Sequence, residues 1–317
     1  MDHSTNPHDI VVVGSNMMDM ITKISRLPKM GETLAGSAFS MGFGGKGANQ
    51  AVMAARLGAR VAMVCKVGKD SFGPMVRQNF IDKDITACVF EDKSLASGVA
   101  PITVDDEGRN LVIIVPGANM TLTAGEVQQA KELILSAKIL ICQLEIPDEA
   151  ILAAFEIARA GGLRILFNPA PARAVPPQMI SLADMVVPNE TEAELLTGLP
   201  VKGLQGASAA AHRLQEMGAR SVIITLGAEG ALLWDGTEEQ HFLPPKVEAV
   251  DTTGSGDAFI GSLAYSLVKG NSLPEAIRFA NVAAALSVTK IGTQISFPTL
   301  EEVEGFGGIA GRGFAGR

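Results

Sequence analysis

Asp251-Thr-Thr-Gly-Ser-Gly-Asp257 is followed directly by the apolar run Ala258-Phe-Ile-Gly-Ser-Leu-Ala-Tyr-Ser-Leu-Val268. This pattern predicts a glycine-rich loop that opens a buried helix. Glycines permit close backbone approaches, and the first turn of a helix leaves N–H groups without partners, which attracts anions. The carboxylate of Asp257 stands at the same point. We therefore interpret the following residues as a candidate catalytic site that combines an anion hole with a base: Gly254, Ser255, Gly256 and Asp257.

The same string is also an ordinary way to enter a helix, with Ser255 or Asp257 capping free donors and no ligand present. Other parts of the chain must therefore distinguish the two interpretations.

Composition limits the class of protein. The chain has 317 residues, of which 47% are hydrophobic and 19% charged, so it can bury a large core. A net charge of −8 and a pI near 5.1 argue against a nucleic-acid or membrane surface as partner. The polar first nine residues do not resemble a signal peptide, and no apolar run approaches the roughly 18 residues of a membrane span. We expect a cytoplasmic protein.

The cysteines and histidines do not show the pattern of a histidine-based metal site or catalytic triad. Cys65, Cys88 and Cys142 are odd in number and lie in apolar runs, so we expect buried thiols in a reducing compartment. The four histidines show no metal-ligand spacing and do not occur in the glycine-rich stretches.

The order of apolar runs predicts an α/β fold with a mostly parallel central sheet and helices on both faces. Ile10-Val-Val-Val-Gly14 is a short buried strand ending at a loop, and strands alternate regularly with helices after Thr121. Two irregular or hairpin-forming segments interrupt this order and predict a small β-sheet lid. The expected division is residues 10–16, 43–96 and 117–304 for the core, 17–42 and 97–116 for the lid, and 305–317 as a disordered glycine-rich tail.

Gly42-Phe-Gly-Gly-Lys-Gly47 matches a dinucleotide fingerprint in letters only, because an insertion of about 25 residues separates it from the first strand. It is not a Walker motif, because Gly47 follows Lys46 where Ser or Thr is required. The doublet Gly44-Gly45 allows a ligand to approach the main chain. Together with Asp19 and Asn49, it suits the adjacent hydroxyl groups of a sugar, which favour a carboxylate and an amide.

Two later motifs allow both a structural and a functional interpretation. Asn189-Glu-Thr-Glu192 has the spacing of a helix capping box, but at a strand's carboxyl end it could also hold hydrated Mg²⁺. Thr225-Leu-Gly-Ala-Glu-Gly230 is either a plain turn or a wall against which a nucleotide lies.

The two glycine motifs resemble the two signatures of the ribokinase family of sugar and nucleoside kinases. In full they read Gly42-Phe-Gly-Gly-Lys-Gly-Ala-Asn-Gln50 and Asp251-Thr-Thr-Gly-Ser-Gly-Asp257. Gln143-Leu-Glu145, Asn168-Pro-Ala-Pro171 and Asn189-Glu-Thr-Glu192 stand between them in the family's order. The resemblance covers about residues 11–298. It implies transfer of phosphate from ATP to O5 of D-ribose by an α/β enzyme, with Mg²⁺ and K⁺ as cofactors and pairing of two subunits through the lid.

The resemblance also assigns roles to individual residues. Asp257 would be the base, and the N–H groups of residues 254–257 would form the anion hole. Sugar contacts would come from Asp19, Gly45, Lys46, Asn49 and Glu145. The nucleotide would lie against Asn189, Thr225, Gly227, Gly230 and Asn281. Glu192 would hold Mg²⁺ through water, and K⁺ would be bound at Asp251, Thr253, Gly292 and Ser296.

One departure from the family concerns the sugar. Gly14-Ser-Asn-Met-Met-Asp19 has Met17 where bacterial members carry a sugar-contacting Asn. Another sugar or nucleoside kinase of the family, acting on deoxyribose, fructose or adenosine, therefore stays open. A sugar- or nucleotide-binding protein without catalysis is a more distant alternative, and a dehydrogenase is more distant still.

Overall fold

The computed structural model describes residues 7–309. Its strands are β1 (Ile10–Val13), β2 (Met17–Lys23), β3 (Ala38–Gly44), β4 (Val61–Gly68), β5 (Thr86–Asp92), β6 (Val99–Val104), β7 (Asn110–Val112), β8 (Ile139–Cys142), β9 (Arg164–Phe167), β10 (Met185–Val186), β11 (Ser221–Thr225), β12 (Ala231–Trp234) and β13 (Glu239–Phe242). Its helices are α1 (Lys46–Arg56), α2 (Phe72–Asp82), α3 (Ala124–Gln129), α4 (Lys131–Leu135), α5 (Asp148–Gly161), α6 (Pro177–Leu182), α7 (Glu190–Thr197), α8 (Gly203–Glu216), α9 (Ser255–Val268), α10 (Leu273–Ser287) and α11 (Leu300–Ile309).

Nine strands form the large sheet, in the order β13-β12-β11-β10-β9-β8-β1-β4-β5. Neighbouring strands from β5 to β11 run parallel, and β12 and β13 add an antiparallel edge. Strands β1 and β8 are fully buried, as expected of parallel strands covered on both faces. Two hydrophobic clusters pack against opposite faces, one including α1, α9 and α10 and the other including α5 and α8.

A separate small sheet has the order β3-β2-β6-β7. Strand β2 pairs antiparallel with β3 and parallel with β6, and β7 closes the hairpin with β6. The predicted α/β class with a small additional sheet is therefore confirmed. Helix α2 and strand β5, for which no pattern in the sequence gives a prediction, continue the α/β alternation next to β4.

The C-terminal segment differs from the expectation. The glycine-rich composition predicts disorder from residue 305, but α11 continues through Ile309. The apolar face of this helix explains the difference, because Val303 is buried in the core and Phe306 packs against it. Burial of these two side chains offsets the low helix propensity of the glycines. Residues 310–317 of the predicted tail lie outside the described residues.

Two composition-based expectations can be compared with the structure. All three cysteines are free thiols, and Cys65 and Cys142 are buried as expected, whereas Cys88 is only half-buried. No helix within residues 7–309 has the length and apolar character that a bilayer crossing requires.

Candidate active site

Helix α9 begins at the point that the sequence motif predicts. Gly254 is its N-cap residue, with φ of 78° and no side-chain cap. Within the described part of the chain, the backbone N–H groups of Gly254, Gly256 and Asp257 donate to no protein acceptor, and that of Ser255 makes a long bond to the Thr252 carbonyl (3.3 Å). Three of the four expected anion-hole donors are therefore available to a ligand.

Asp257 is buried at this entrance, with 6% of its surface exposed. Its Oδ2 accepts a hydrogen bond from Asn49 Nδ2 and its Oδ1 one from Gln50 Nε2, each at 2.9 Å. Gln50 also donates to Asn168 Oδ1 and accepts from Gln143 Nε2. The carboxylate is thus held on both oxygens by neutral amides of α1.

The close contact of α1 and α9 positions these amides. A Cβ added at Gly261 would lie 2.7 Å from the Gln50 carbonyl oxygen and from Met53 Cβ. Gly261 is about one turn after Asp257, so the absence of a side chain there lets α1 approach the base.

On the small-sheet side, Asp19 and Glu145 form a pair of buried carboxyls. Burial, together with the nearby charges of Glu145 and Asp257, raises the pKa of Asp19 to about 6, against a lowering contribution from its hydrogen bond with Thr293. Burial likewise raises the pKa of Glu145, whose Oε2 accepts from Ser15 Oγ (2.5 Å) and the Lys46 backbone N–H (2.9 Å). Carboxyls placed this way can accept hydrogen bonds from sugar hydroxyls.

Lys46 supplies the positive charge of the site. Burial alone would lower its pKa, but the negative charges of Asp257, Glu145 and Glu192 raise it above its ordinary value. Its ammonium group forms no ion pair or hydrogen bond with any residue between 7 and 309. A charged ammonium facing a cavity without a direct partner is suited to an anionic ligand.

A single cavity joins several of the predicted residues. Its lining consists of Lys46, Asn168, Ala170, Val187, Asn189, Glu192, Thr225, Gly256, Asp257 and Ile260. The predicted base, lysine and magnesium-binding glutamate therefore face the same space. A Cβ at Gly256 would meet no heavy atom within 4 Å, so the space in front of the helix entrance is open.

Asn189 and Glu192 satisfy the structural interpretation of their motif and also reach the cavity. Asn189 caps α7 by accepting from the Glu192 N–H, and the Glu192 carboxylate accepts from the Asn189 backbone and side chain. Burial raises the pKa of Glu192. Each of its oxygens accepts one of these hydrogen bonds and has a second lone pair, and Glu192 lines the cavity, which fits a hydrated Mg²⁺.

The other residues predicted to contact the nucleotide lie together around the turn that follows β11. Gly227 and Gly230 flank a short 3₁₀ turn between β11 and β12, and both have positive φ. A Cβ at Gly230 would lie 2.0 Å from the Phe242 carbonyl oxygen. Asn281 is buried and donates to that same oxygen (2.9 Å), so it holds the end of β13 beside this turn and is not part of the cavity lining.

Asp251 is in direct contact with two of the other three residues expected around K⁺. The Asp251 carboxylate accepts from the N–H groups of Thr253 and Gly292, both at 2.9 Å. The Ser296 hydroxyl instead donates to the Thr293 carbonyl (2.8 Å). The described residues contain no cluster of three or more His, Cys, Asp or Glu that could hold a metal ion. Asp251 thus links the loop that leads into α9 to Gly292, whereas the Ser296 hydroxyl is bound elsewhere.

Sequence reasoning did not assign several residues that the fold places at the site. Gln50 binds the base, Ser15 binds Glu145, and Thr293 donates weakly to Asp19 (3.3 Å). Gln294 donates to Asn49 (3.0 Å). Gln50 and Ser15 adjoin motif residues, which is a usable signal. Thr293 and Gln294 lie more than 240 positions from Asp19 and Asn49, the site residues that they contact.

The chain is similar in sequence to known sugar kinases. The chain is 47% identical to a mouse ribokinase over 298 residues, which cover 91% of each protein. It is 42% identical to a deoxyribokinase of Salmonella typhi over 296 residues, which cover 93% of this chain and 97% of the relative.

A solved structure and a family model also match the chain over most of its length. The structure of Arabidopsis thaliana ribokinase complexed with ribose and ATP superposes with a TM-score of 0.88 at 31% identity, covering 94% of this chain and 98% of the other. The model of the pfkB family carbohydrate kinases matches residues 7–300. The chain therefore belongs to the pfkB family of carbohydrate kinases.

Proposed function

We propose that this kinase transfers the γ-phosphate of ATP to the 5-hydroxyl of D-ribose. The observation that carries the proposal is the pairing of the Asp257 carboxylate with three unengaged N–H groups at one helix entrance. Phosphoryl transfer needs alignment and charge stabilisation more than a strong base, and this arrangement provides both.

The sugar would bind on the α1 side. Asp19, Asn49 and Glu145 supply oxygen and amide groups for its hydroxyls, and Gly45 keeps the main chain accessible there. Asp257 then accepts the proton of the attacking hydroxyl as its oxygen bonds to the γ-phosphorus, while the bond from that phosphorus to the bridging oxygen breaks and ADP leaves. The amides of Asn49 and Gln50 hold the carboxylate during this step.

The phosphate would lie over the entrance of α9. The N–H groups of Gly254, Gly256 and Asp257 face its negative charge, and the helix dipole acts in the same direction. Lys46, which the family resemblance assigns to the sugar, lines the same cavity and would add a full positive charge there. The adenosine portion would extend past Thr225 toward Gly227 and Gly230.

Mg²⁺ and K⁺ are part of the proposal. Mg²⁺ bound with ATP supplies positive charge to the phosphates, and Asn189 and Glu192 would hold its water shell. Asp251, Thr253 and Gly292 would surround K⁺ beside the loop that leads into α9. Their contacts with one another fix the shape of that loop.

2-Deoxyribose is a second candidate substrate, and Met17 is the observation that favours it. Strand alternation places Met17 on the same face of β2 as Asp19, which interacts with Glu145 and Asp257. Met17 is buried but belongs to neither hydrophobic cluster. A thioether binds a hydroxyl weakly, whereas it tolerates a sugar that lacks one.

A coupled assay of ADP release tests the function. D-ribose, 2-deoxyribose, fructose and adenosine are compared as acceptors, each with and without K⁺, and omission of Mg²⁺ should abolish turnover. We expect the highest kcat/KM for D-ribose and an increase with K⁺. A higher kcat/KM for deoxyribose would transfer the proposal to that sugar, and no ADP release with any acceptor would refute it.

We further propose that two subunits pair through the small sheet. Apolar side chains are exposed along its strands and the adjoining segment, namely Phe39, Met41, Leu111, Val112, Ile113, Ile114 and Val115. Contiguous apolar surface of this kind is typical of interfaces. Sedimentation should show a dimer, and Met41→Lys should shift it toward monomer.

A cytoplasmic location completes the proposal. ATP is available there, and three free cysteines are suited to a reducing compartment. Fractionation of cells that express the full chain tests this expectation.

A further inference from the structure

We propose that Gln294 is a positioning residue for the base, that it acts through Asn49, and that Asn79 of α2 orients it in turn. The inference rests on the proposed function, because it takes Asp257 as the base. None of these three side chains is required to touch the substrate for this role.

The four side chains form one continuous chain of hydrogen bonds. Asn79 Nδ2 donates to Gln294 Oε1 (3.2 Å), Gln294 Nε2 donates to Asn49 Oδ1 (3.0 Å), and Asn49 Nδ2 donates to Asp257 Oδ2 (2.9 Å). All four are buried, with at most 7% of their surface exposed. Water therefore does not readily replace a missing partner, and each bond matters more than it would at the surface.

The donor-to-acceptor direction of these hydrogen bonds is fixed at the Asp257 carboxylate. An ionised Asp257 only accepts, so Asn49 must turn its NH₂ group toward it and its carbonyl oxygen toward Gln294. That oxygen needs a donor, which turns the NH₂ group of Gln294 toward Asn49 and its own oxygen toward Asn79. Every amide in the chain thus has one orientation compatible with its neighbours.

Reversing one amide should reverse the next. If residue 79 became an acceptor, Gln294 would rotate to donate to it, and Asn49 would rotate to donate to Gln294. The Asn49 carbonyl oxygen would then face Asp257 Oδ2, and two acceptors would repel each other. The base would move away from its position, although nothing in contact with it had been substituted.

A second chain of amides reaches the other carboxylate oxygen independently. Gln143 Nε2 donates to Gln50 Oε1 (2.6 Å), and Gln50 Nε2 donates to Asp257 Oδ1 (2.9 Å). This chain should remain intact in variants at positions 79 and 294. The expected result is a displaced base in a folded protein.

The test is a double-mutant cycle on kcat in the full-length kinase, with D-ribose and ATP as substrates. Asn79→Asp replaces the first donor by an acceptor of the same shape and should lower kcat roughly 10- to 100-fold, with KM for ATP unchanged. Gln294→Met removes the amide that transmits the reversal. In the Gln294→Met background, Asn79→Asp should therefore lower kcat by less than about two-fold.

Controls separate this proposal from the function on which it rests. Gln128→Glu, an equivalent change on the exposed surface of α3, should leave kcat and melting temperature unchanged. Wild-type protein without turnover, or Asp257→Asn with full turnover, would refute the proposed function itself. Suppose that the wild type turns over and Asp257→Asn does not. A normal kcat in Asn79→Asp, or an equal loss of kcat from Asn79→Asp in the wild-type and Gln294→Met backgrounds, would then overturn only the role of Gln294. Gln294→Ala provides the background if the Met variant does not fold.

Discussion

Helices α1 and α9 begin in the same way and differ in what happens to their first N–H groups. Both follow a glycine with positive φ, 86° at Gly45 and 78° at Gly254, and neither has a side-chain cap of its own. In α1 the N–H groups of Lys46, Gly47 and Ala48 donate to Glu145 and to the hydroxyl and carbonyl of Ser15. In α9 the N–H groups of Gly256 and Asp257 donate to no residue that the structure describes.

This difference separates a structural helix entrance from one suited to a ligand. In α1, Ser15 and Glu145 accept the first N–H groups and thereby fix the helix so that Asn49 and Gln50 lie against the base. At α9 the same donors are left for an anion, which would complete the helix as it binds. A glycine-rich helix start alone therefore does not indicate a phosphate site, whereas unengaged donors beside a buried carboxylate do.

The largest effect should come from the carboxylate of α9. Asp257→Ala should lower kcat roughly 100-fold or more, the usual scale for loss of a general base, with little change in nucleotide affinity. Steady-state kinetics and ADP-induced thermal stabilisation measure the two quantities. Asp257→Asn, of equal size, should show the same loss of kcat, and turnover near that of the wild type would contradict the assignment.

A methyl group placed at each entrance should have opposite consequences. Gly256→Ala points into open space, so the protein should fold normally but lose roughly 10-fold or more in kcat/KM for ATP, because the methyl group occupies the anion's position. At Gly47 a Cβ would lie 2.6 Å from the Ser15 backbone nitrogen, so Gly47→Ala should lower the free energy of unfolding by about 1–3 kcal/mol. Urea unfolding and kinetics of both variants decide whether the two entrances differ as proposed.

Ser15→Ala should weaken α1 by a smaller amount. It removes the bonds to the Gly47 N–H and to Glu145, so the free energy of unfolding should fall by about 1 kcal/mol and KM for the sugar should rise. Ser272→Ala is the matched control, because it removes the cap of α10 without a contact to the site. An increased KM in both variants would show that the effect is one of general stability.

The smallest predicted effect depends on pH and concerns only the sugar side. The pKa of Asp19 is raised to about 6, mainly by burial, and its ionised form is the better acceptor for hydroxyls. KM for the sugar should therefore rise about four-fold as pH falls from 7.5 to 5.5, while KM for ATP stays constant. In Asp19→Asn this pH dependence of the sugar KM should disappear.

The same ionisation affects stability with a definite sign. Because the folded-state pKa lies above the ordinary value, the folded protein binds this proton more tightly than the unfolded chain, and ionisation of Asp19 destabilises the fold as pH rises through about 6. Asp19→Asn should accordingly increase the free energy of unfolding at pH 7.5 and have less effect at pH 4. An equal effect at both pH values would contradict the raised pKa.

Local patterns were sufficient where a residue's role follows from its immediate neighbours. The apolar runs around Val11, Leu140 and Ile223 predict buried parallel strands, and the spacing of Asn189 and Glu192 predicts the capping box that is observed. The glycine-rich tail shows the limit of such reasoning. Packing of Val303 and Phe306 keeps its first residues helical, which composition could not indicate.

The sequence by itself determined the alternation of strands and helices, the insertion of a small sheet, and the two glycine-led helix starts, because each depends on periodicity and backbone freedom within a few residues. Only the tertiary structure decided that the first N–H groups of α1 have protein acceptors, whereas those of Gly256 and Asp257 in α9 have none among the described residues. That outcome depends on Ser15 and Glu145, which accept the first N–H groups of α1 from distant positions in the chain. Hydrogen bonding of buried groups is satisfied in space, and the distances that decide it arise only when the chain has folded.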